Sequence, residues 1–115
     1  MTLKEFYAVI GGNYDATLRR IPKESMVLRF AKKYAADPTF GELQDAVAKQ
    51  DWEAAFRAAH TLKGVSQNLG FDRLYEQVFA LTEALRGGKP LTDMNLYKAV
   101  AREQELIMDA LVHLE

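Results

Sequence analysis

Apolar residues return along this chain at intervals of three and four, the period of one face of an α-helix. Leu3, Phe6, Tyr7 and Ile10 begin the pattern. Ahead of them Thr2-Leu3-Lys4-Glu5 has the form of a capping box, in which the threonine and glutamate side chains each satisfy a backbone donor at a helix start. Gly11-Gly12-Asn13 should end this short helix, and a second short helix is expected from about Tyr14 to Arg20. Pro22 suits the first turn of the next helix, where its missing N–H is no loss. That helix should reach about Ala36, with Met26, Val27, Phe30 and Tyr34 on its apolar side. Its other side carries Lys23, Arg29, Lys32 and Lys33, a basic face that ordinary solvation accounts for.

Asp37-Pro38 breaks the pattern, and Thr39-Phe40-Gly41-Glu42 offers a second capping box. Phe40, Leu43 and Val47 then carry a buried stripe to about Gln50. Asp51 is placed to cap a long helix, since its carboxylate can accept from orphan N–H groups. Trp52, Ala55, Ala59, Leu62, Ser66 and Leu69 form a heptad-like seam along it. Gly70 closes this helix and Asp72 is placed to cap the next, where Phe71, Leu74, Val78, Leu81 and Leu85 repeat the seam. The two helices should pack antiparallel across a very short turn. After the loop Gly87-Gly88-Lys89-Pro90, Thr92 or Asp93 starts a last helix with the stripe Tyr97, Val100, Ile107, Leu111 and Leu114.

No stretch alternates with period two, so no sheet is expected. Short connections between amphipathic helices imply an all-α antiparallel four-helix bundle with additional N-terminal helices. Residues 1–21 form the helical extension and 22–115 the bundle, in a single globular domain overall. A chain of 115 residues fits one domain, which buries roughly two-thirds of its unfolded surface. Hydrophobic residues at 49% and charged residues at 27% are ordinary for a folded domain.

Fifteen basic against sixteen acidic residues leave a formal net charge of -1, so no global field favours nucleic acid or an anionic membrane. The absence of cysteine removes disulfides, thiolate catalysis and cysteine-ligated metals, and fits a reducing compartment. Apolar runs fall far short of the roughly 20 residues that span a bilayer, and Met1-Thr2-Leu3-Lys4-Glu5 lacks a signal peptide's basic start and apolar core. The expectation is a soluble, cytoplasmic protein, monomeric because the bundle is complete in one chain.

The candidate chemistry lies on the long helix. His60 is one residue, about 100 degrees, past Ala59 and therefore off the seam. Phe56, His60, Lys63, Gly64 and Gln67 should share an exposed or half-exposed face. Phosphohistidine formation needs a neutral imidazole nitrogen pointing outward, and a lysine one turn on can act as a point charge against the added phosphate. Arg57 could assist from the preceding turn. Gly64 costs about 1 kcal/mol relative to alanine inside a helix, and without a side chain it leaves room for a partner's loop. Singly, each has a bland reading: an exposed histidine, a solvated lysine, a packing glycine. Together, on a face apart from the seam, they make a candidate phosphoacceptor patch.

His60-Thr61-Leu62-Lys63-Gly64, followed by Asn68-Leu69-Gly70, resembles the signature of the histidine-containing phosphotransfer (HPt) domains of multistep phosphorelays. The signature has the form His-x-apolar-Lys-Gly with a Leu-Gly pair shortly after. The resemblance implies a four-helix-bundle core in which His60 accepts a phosphoryl group from a receiver-domain aspartate and passes it to another. By position His60 is the phosphoacceptor, Lys63 the electrostatic helper and Gly64 the clearance residue. Phe56, Thr61, Gly64, Gln67 and Asn68 would face the partner, with Arg57 and Gln67 supporting the phosphate. Family members often hold the other imidazole nitrogen with a Gln or Glu on the neighbouring helix. By count that place falls near Thr82, with Phe79 one turn earlier; its hydroxyl could make the bond, or Gln77 or Glu83 could reach in. The implied partners are response-regulator receivers and the receivers of hybrid histidine kinases. Magnesium would sit on the partner, leaving this chain without a cofactor or metal.

A kinase is not expected, because the chain has no Gly-rich nucleotide loop and Thr61 stands where kinase dimerisation helices usually carry an acid. The reading is a carrier without kinase activity of its own; the alternative is a non-catalytic adaptor that binds receiver or kinase domains on the same fold. Metal-binding bundles use Glu-x-x-His pairs, which this chain lacks, and His113 reads as a surface residue near the end of the last helix.

Overall fold

Seven helices follow one another wherever the local chemistry lets them start and stop. In the computed structural model, which describes residues 1–115, these are α1 Leu3–Ile10, α2 Tyr14–Arg20, α3 Glu24–Lys33, α4 Thr39–Ala48, α5 Trp52–Leu69, α6 Asp72–Leu85 and α7 Met94–Leu111, with a 3-10 turn at Tyr34–Ala36 between α3 and α4. There is no strand. The capping box at Thr2 and Glu5 forms in both directions, and Gly11 ends α1 in the left-handed conformation. Asp51 caps α5 by accepting from the Ala54 N–H, and Asp93 caps α7 through the Asn95 N–H.

Three expected starts are displaced. Pro22 lies outside α3, whose N-cap is Lys23, because the Ile21 N–H is still closing α2 on the Thr17 carbonyl. The box expected at Thr39 does not form. Thr39 is already the first helical residue, and the Asp37 carboxylate takes its N–H at 2.8 Å. Asp72 likewise falls inside α6, with Phe71 at the cap and no side-chain capping bond; from the first turn its charge still complements the helix dipole.

The seams pack as their spacing requires. Ala55, Ala59, Leu62 and Ser66 of α5 are buried, as are Phe71, Leu74, Val78, Leu81 and Leu85 along α6. Only Gly70 and Phe71 separate α5 from α6, so these two helices run antiparallel and make the most extensive interface. α4 packs on the other side of α5, and α7 on α6. Phe40 of α4 and Tyr97 of α7 stack at 6.3 Å between ring centroids, closing the four-helix bundle. The short α4, rather than the basic α3, is α5's closer neighbour. Half-buried Met26 and Phe30 share the apolar side of α3 with buried Val27 and Ala31.

Twenty-two buried hydrophobic residues form one cluster, and Leu3, Phe6, Tyr7 and Ile10 of α1 belong to it. Phe71 is its aromatic hub, meeting Phe6, Tyr7 and Tyr34 edge-on at 5.9, 5.9 and 5.4 Å, the arrangement ring quadrupoles prefer. The Tyr34 hydroxyl also donates to Gln104 Oε1 of α7 inside the core. The N-terminal helices therefore sit over the C-terminal end of α5 and satisfy carbonyls that a helix end leaves without partners. Tyr7 donates to the Leu69 carbonyl at 2.5 Å, and Arg20 to the Asn68 carbonyl at 3.1 Å. Gly70 is required there: its φ is +71°, and a Cβ would come within 1.9 Å of Thr17 Oγ1. No helix is long and apolar enough to cross a membrane.

Candidate functional site

Burying Ala55, Ala59, Leu62 and Ser66 fixes the rotation of α5 and so decides what faces outward. His60 is exposed, while Lys63 and Gly64 are half-buried on its flanks. The Ser66 hydroxyl turns back to the Lys63 carbonyl at 2.9 Å, which lets a polar residue occupy the seam without an orphan group. An ideal Cβ on Gly64 would meet nothing within 4 Å. Its missing side chain is not needed for packing inside this chain, and the helix there stays open toward whatever approaches His60.

The imidazole rests against aromatic surface. Phe56, one turn earlier, lies 5.9 Å from the His60 ring, centroid to centroid. Lys63 Nζ sits 5.5 Å from the centre of the Phe79 ring on α6, within cation–π range. Phe79 is 45% exposed and forms the wall of the patch on that side. The guanidinium of Arg86 lies 5.4 Å from the centre of the Phe56 ring and grips the Glu83 carboxylate through Nε at 3.1 Å and Nη2 at 2.6 Å. The hydrogen bond from Arg86 holds the Glu83 carboxyl below the usual carboxylate range, with the charges of Arg86 and Lys63 adding to it.

Thr82 does not anchor the imidazole in this structure. It is fully buried, and its hydroxyl donates at 2.7 Å to the Val78 carbonyl of its own helix, as a threonine in a helix interior commonly does. Glu83 is the exposed residue of that turn, and it is committed to Arg86. Gln77 is half-buried one turn toward the α5–α6 connection.

The other expected residues divide between two sides of α5. Gln67 and Asn68 are exposed on the turns after Gly64. Arg57 and Thr61 face α4, where with Thr39, Glu42, Ala54 and Ala58 they line a cavity of about 270 Å³. Arg57 thus stands on the side of His60 opposite to Lys63 and Phe79. Asn68 rims a second, more apolar hollow of about 340 Å³, with Phe30, Lys33, Tyr34 and Val65 among its walls. His113 is exposed past the end of α7, where its carbonyl accepts from the N-terminal amine at 2.5 Å. No three His, Asp or Glu side chains are placed to share a metal ion.

Arg86 is the residue that reading the sequence missed. Its one local signal was the i, i+3 spacing from Glu83; its position over Phe56 depends on how α5 and α6 pack. The family model of the Hpt domain matches residues 35–112, from the 3-10 turn to the residue after α7. No curated protein and no solved structure matches the chain.

Proposed function

The chain belongs to the Hpt domain family, whose members act as histidine phosphotransfer modules in phosphorelays with receiver domains, and from that premise we propose that His60 is the phosphoryl carrier. It accepts the group from an aspartyl phosphate on one receiver domain and passes it to an aspartate on another. The observation that carries this reading is the exposed imidazole of His60 between Lys63 and the open surface at Gly64.

In the forward step a neutral imidazole nitrogen attacks phosphorus. The N–P bond forms as the P–O bond to the aspartate breaks, and that bond's electron pair leaves with the carboxylate. Return to a second receiver is the reverse, an aspartate oxygen attacking and the imidazole leaving. Charge gathers on the phosphoryl oxygens in both directions, and positioning plus electrostatic stabilisation is most of what such a reaction needs. Lys63 stands one turn on from His60 along α5. Moving its ammonium from the Phe79 ring onto the phosphoryl oxygens exchanges an exposed cation–π contact, about 0.5–1 kcal/mol, for a charge-assisted hydrogen bond that is roughly twice as strong as a neutral one.

Phe56, Thr61, Gly64, Gln67 and Asn68 form the surface that a receiver covers, with Phe79 at its α6 edge. The magnesium that assists at the aspartate belongs to the receiver. Incubation with a phosphorylated receiver should label the protein with an acid-labile, alkali-stable phosphate that is lost in His60→Gln. Receivers that bind tightly but never transfer would make the protein an adaptor instead.

A further inference from the structure

The cations of this chain are unevenly spread. Arg19, Arg20, Lys23, Arg29, Lys32 and Lys33 fall within fifteen residues, with Glu24 the one acid among them, so this stretch carries +5 and the rest of a chain of net charge -1 carries -6. All six are exposed along α2, α3 and the link between them, and the four ion pairs of the molecule lie elsewhere. Arg29 stands one turn before Lys32 and Lys33 on α3, a like-charge spacing that destabilises a helix when nothing offsets it. The patch has no counter-charge inside the chain.

An apolar hollow opens beside these cations. Half-buried Ile21, Phe30, Val65 and Leu69, together with Tyr34, line a space of about 340 Å³ between α3 and the last turns of α5. Lys33 is itself one of its walls. Arg20 is tied to the rim by its bond to the Asn68 carbonyl at 3.1 Å, and the Arg29 guanidinium lies 5.9 Å from the centre of the Phe30 ring. The one acid in the lining, Asp37, is already engaged by the Thr39 N–H. From Lys23 to Lys33 the helix runs about 15 Å, the reach of four or five extended residues and more than a small anion spans. A membrane is the poorer match, because surface-bound helices insert large apolar side chains. Those that are exposed here are Val9, Phe79, Met94 and Val112, none of them on α2 or α3.

We propose that this surface binds a short acidic peptide segment of another protein, which seats one leucine- or phenylalanine-sized side chain in the hollow while its flanking carboxylates meet Arg20, Arg29 and Lys33. Burial of the anchor supplies most of the affinity. The exposed charge pairs add little singly, but they select the partner's sign and speed its approach. The site lies about two turns of α5 past His60 and needs none of its chemistry.

The test titrates the full chain into a labelled peptide in which one leucine is flanked on both sides by aspartates and glutamates. Fluorescence anisotropy follows binding, and amide shifts in ¹⁵N NMR map the contact. Saturable binding should appear below about 1 mM, with the shifts concentrated at Phe30, Val65 and Leu69. Replacing the peptide's leucine with serine should weaken binding about tenfold, and raising the ionic strength should weaken it as well. Lys33→Glu should weaken it about threefold, and Arg29→Glu added to it further, whereas Lys98→Glu on α7 should leave it unchanged; circular dichroism confirms that the variants fold. Binding that ignores the leucine, or shifts spread over the whole surface, would reduce the patch to nonspecific charge attraction and overturn the proposal. Absence of saturable binding below about 1 mM, or attachment to phosphatidylserine vesicles in preference to the peptide, would overturn it equally. Each of these outcomes leaves the role of His60 untouched.

Discussion

Replacing Gly64 with alanine should make this protein more stable while slowing phosphotransfer. Gly64 lies inside α5, at a position with no positive φ, and a Cβ there finds no atom within 4 Å. The substitution therefore removes backbone freedom from the unfolded chain and adds no clash to the folded one. Inside a helix this exchange is worth about 1 kcal/mol. For a domain of 115 residues that corresponds to a rise of about 4 °C in Tm, measurable by calorimetry or by the urea midpoint at constant m-value. The added methyl group stands beside His60 on the face that a receiver covers, so the rate of transfer from a phosphorylated receiver should fall, and Gly64→Leu should lower it further. A drop in Tm for Gly64→Ala would refute the reasoning by showing that the glycine serves packing. Unchanged transfer in Gly64→Leu would remove its role as the clearance residue.

The remaining predictions concern the two ends of α5 and the charges around it. Gly70→Ala should behave oppositely to Gly64→Ala, losing at least about 2 kcal/mol in urea denaturation, because it forces a side chain into a left-handed conformation and onto Thr17; a loss below 0.5 kcal/mol would mean that α2 yields freely. Burial pushes the Tyr7 hydroxyl up to about 12 and raises Tyr34 as well. Since the folded state holds these protons above the unfolded value, the stability they contribute is intact below about pH 10 and drains away from there to about pH 12; absorbance at 295 nm should show two of the five tyrosines ionising together with unfolding, and smooth titration of all five in the folded protein would contradict this. Lys63→Ala should slow transfer about tenfold, roughly one exposed charge contact in the transition state, while α-helical circular dichroism is unchanged; wild-type rates would remove the lysine from the mechanism.

How much could be read from the chain depended on whether the signal was local. The seam from Ala55 through Ser66 repeats along one helix, and because rotation about the helix axis is set by which side is apolar, the same repeat turned His60 outward. Gly70, Asp51 and the box at Thr2 and Glu5 act within a few residues of themselves and were equally legible. At Thr39 two local signals competed, and the Asp37 carboxylate took the N–H that the box required. Gln104 is a polar residue buried beside the stripe of α7, because Tyr34, far away in sequence, supplies its partner. The neighbourhood of His60 on α6 posed the same difficulty. Counting along the chain pointed to Thr82, but α6 buries that side chain and offers Glu83, with Arg86 and Phe79 on either side. Which residues of α6 meet α5 is a matter of tertiary register, and no spacing within either helix encodes it.

The central claim is that His60 takes a phosphoryl group and gives it back to a receiver. The most direct measurement starts from protein labelled with ³²P by a phosphorylated receiver, separated from that receiver and mixed with a second, unphosphorylated receiver bearing magnesium. Label should leave His60 and appear as an alkali-labile acyl phosphate on the second receiver, with His60→Gln carrying none at the outset. Label that enters His60 and decays only to inorganic phosphate, with no receiver accepting it, would contradict the claim.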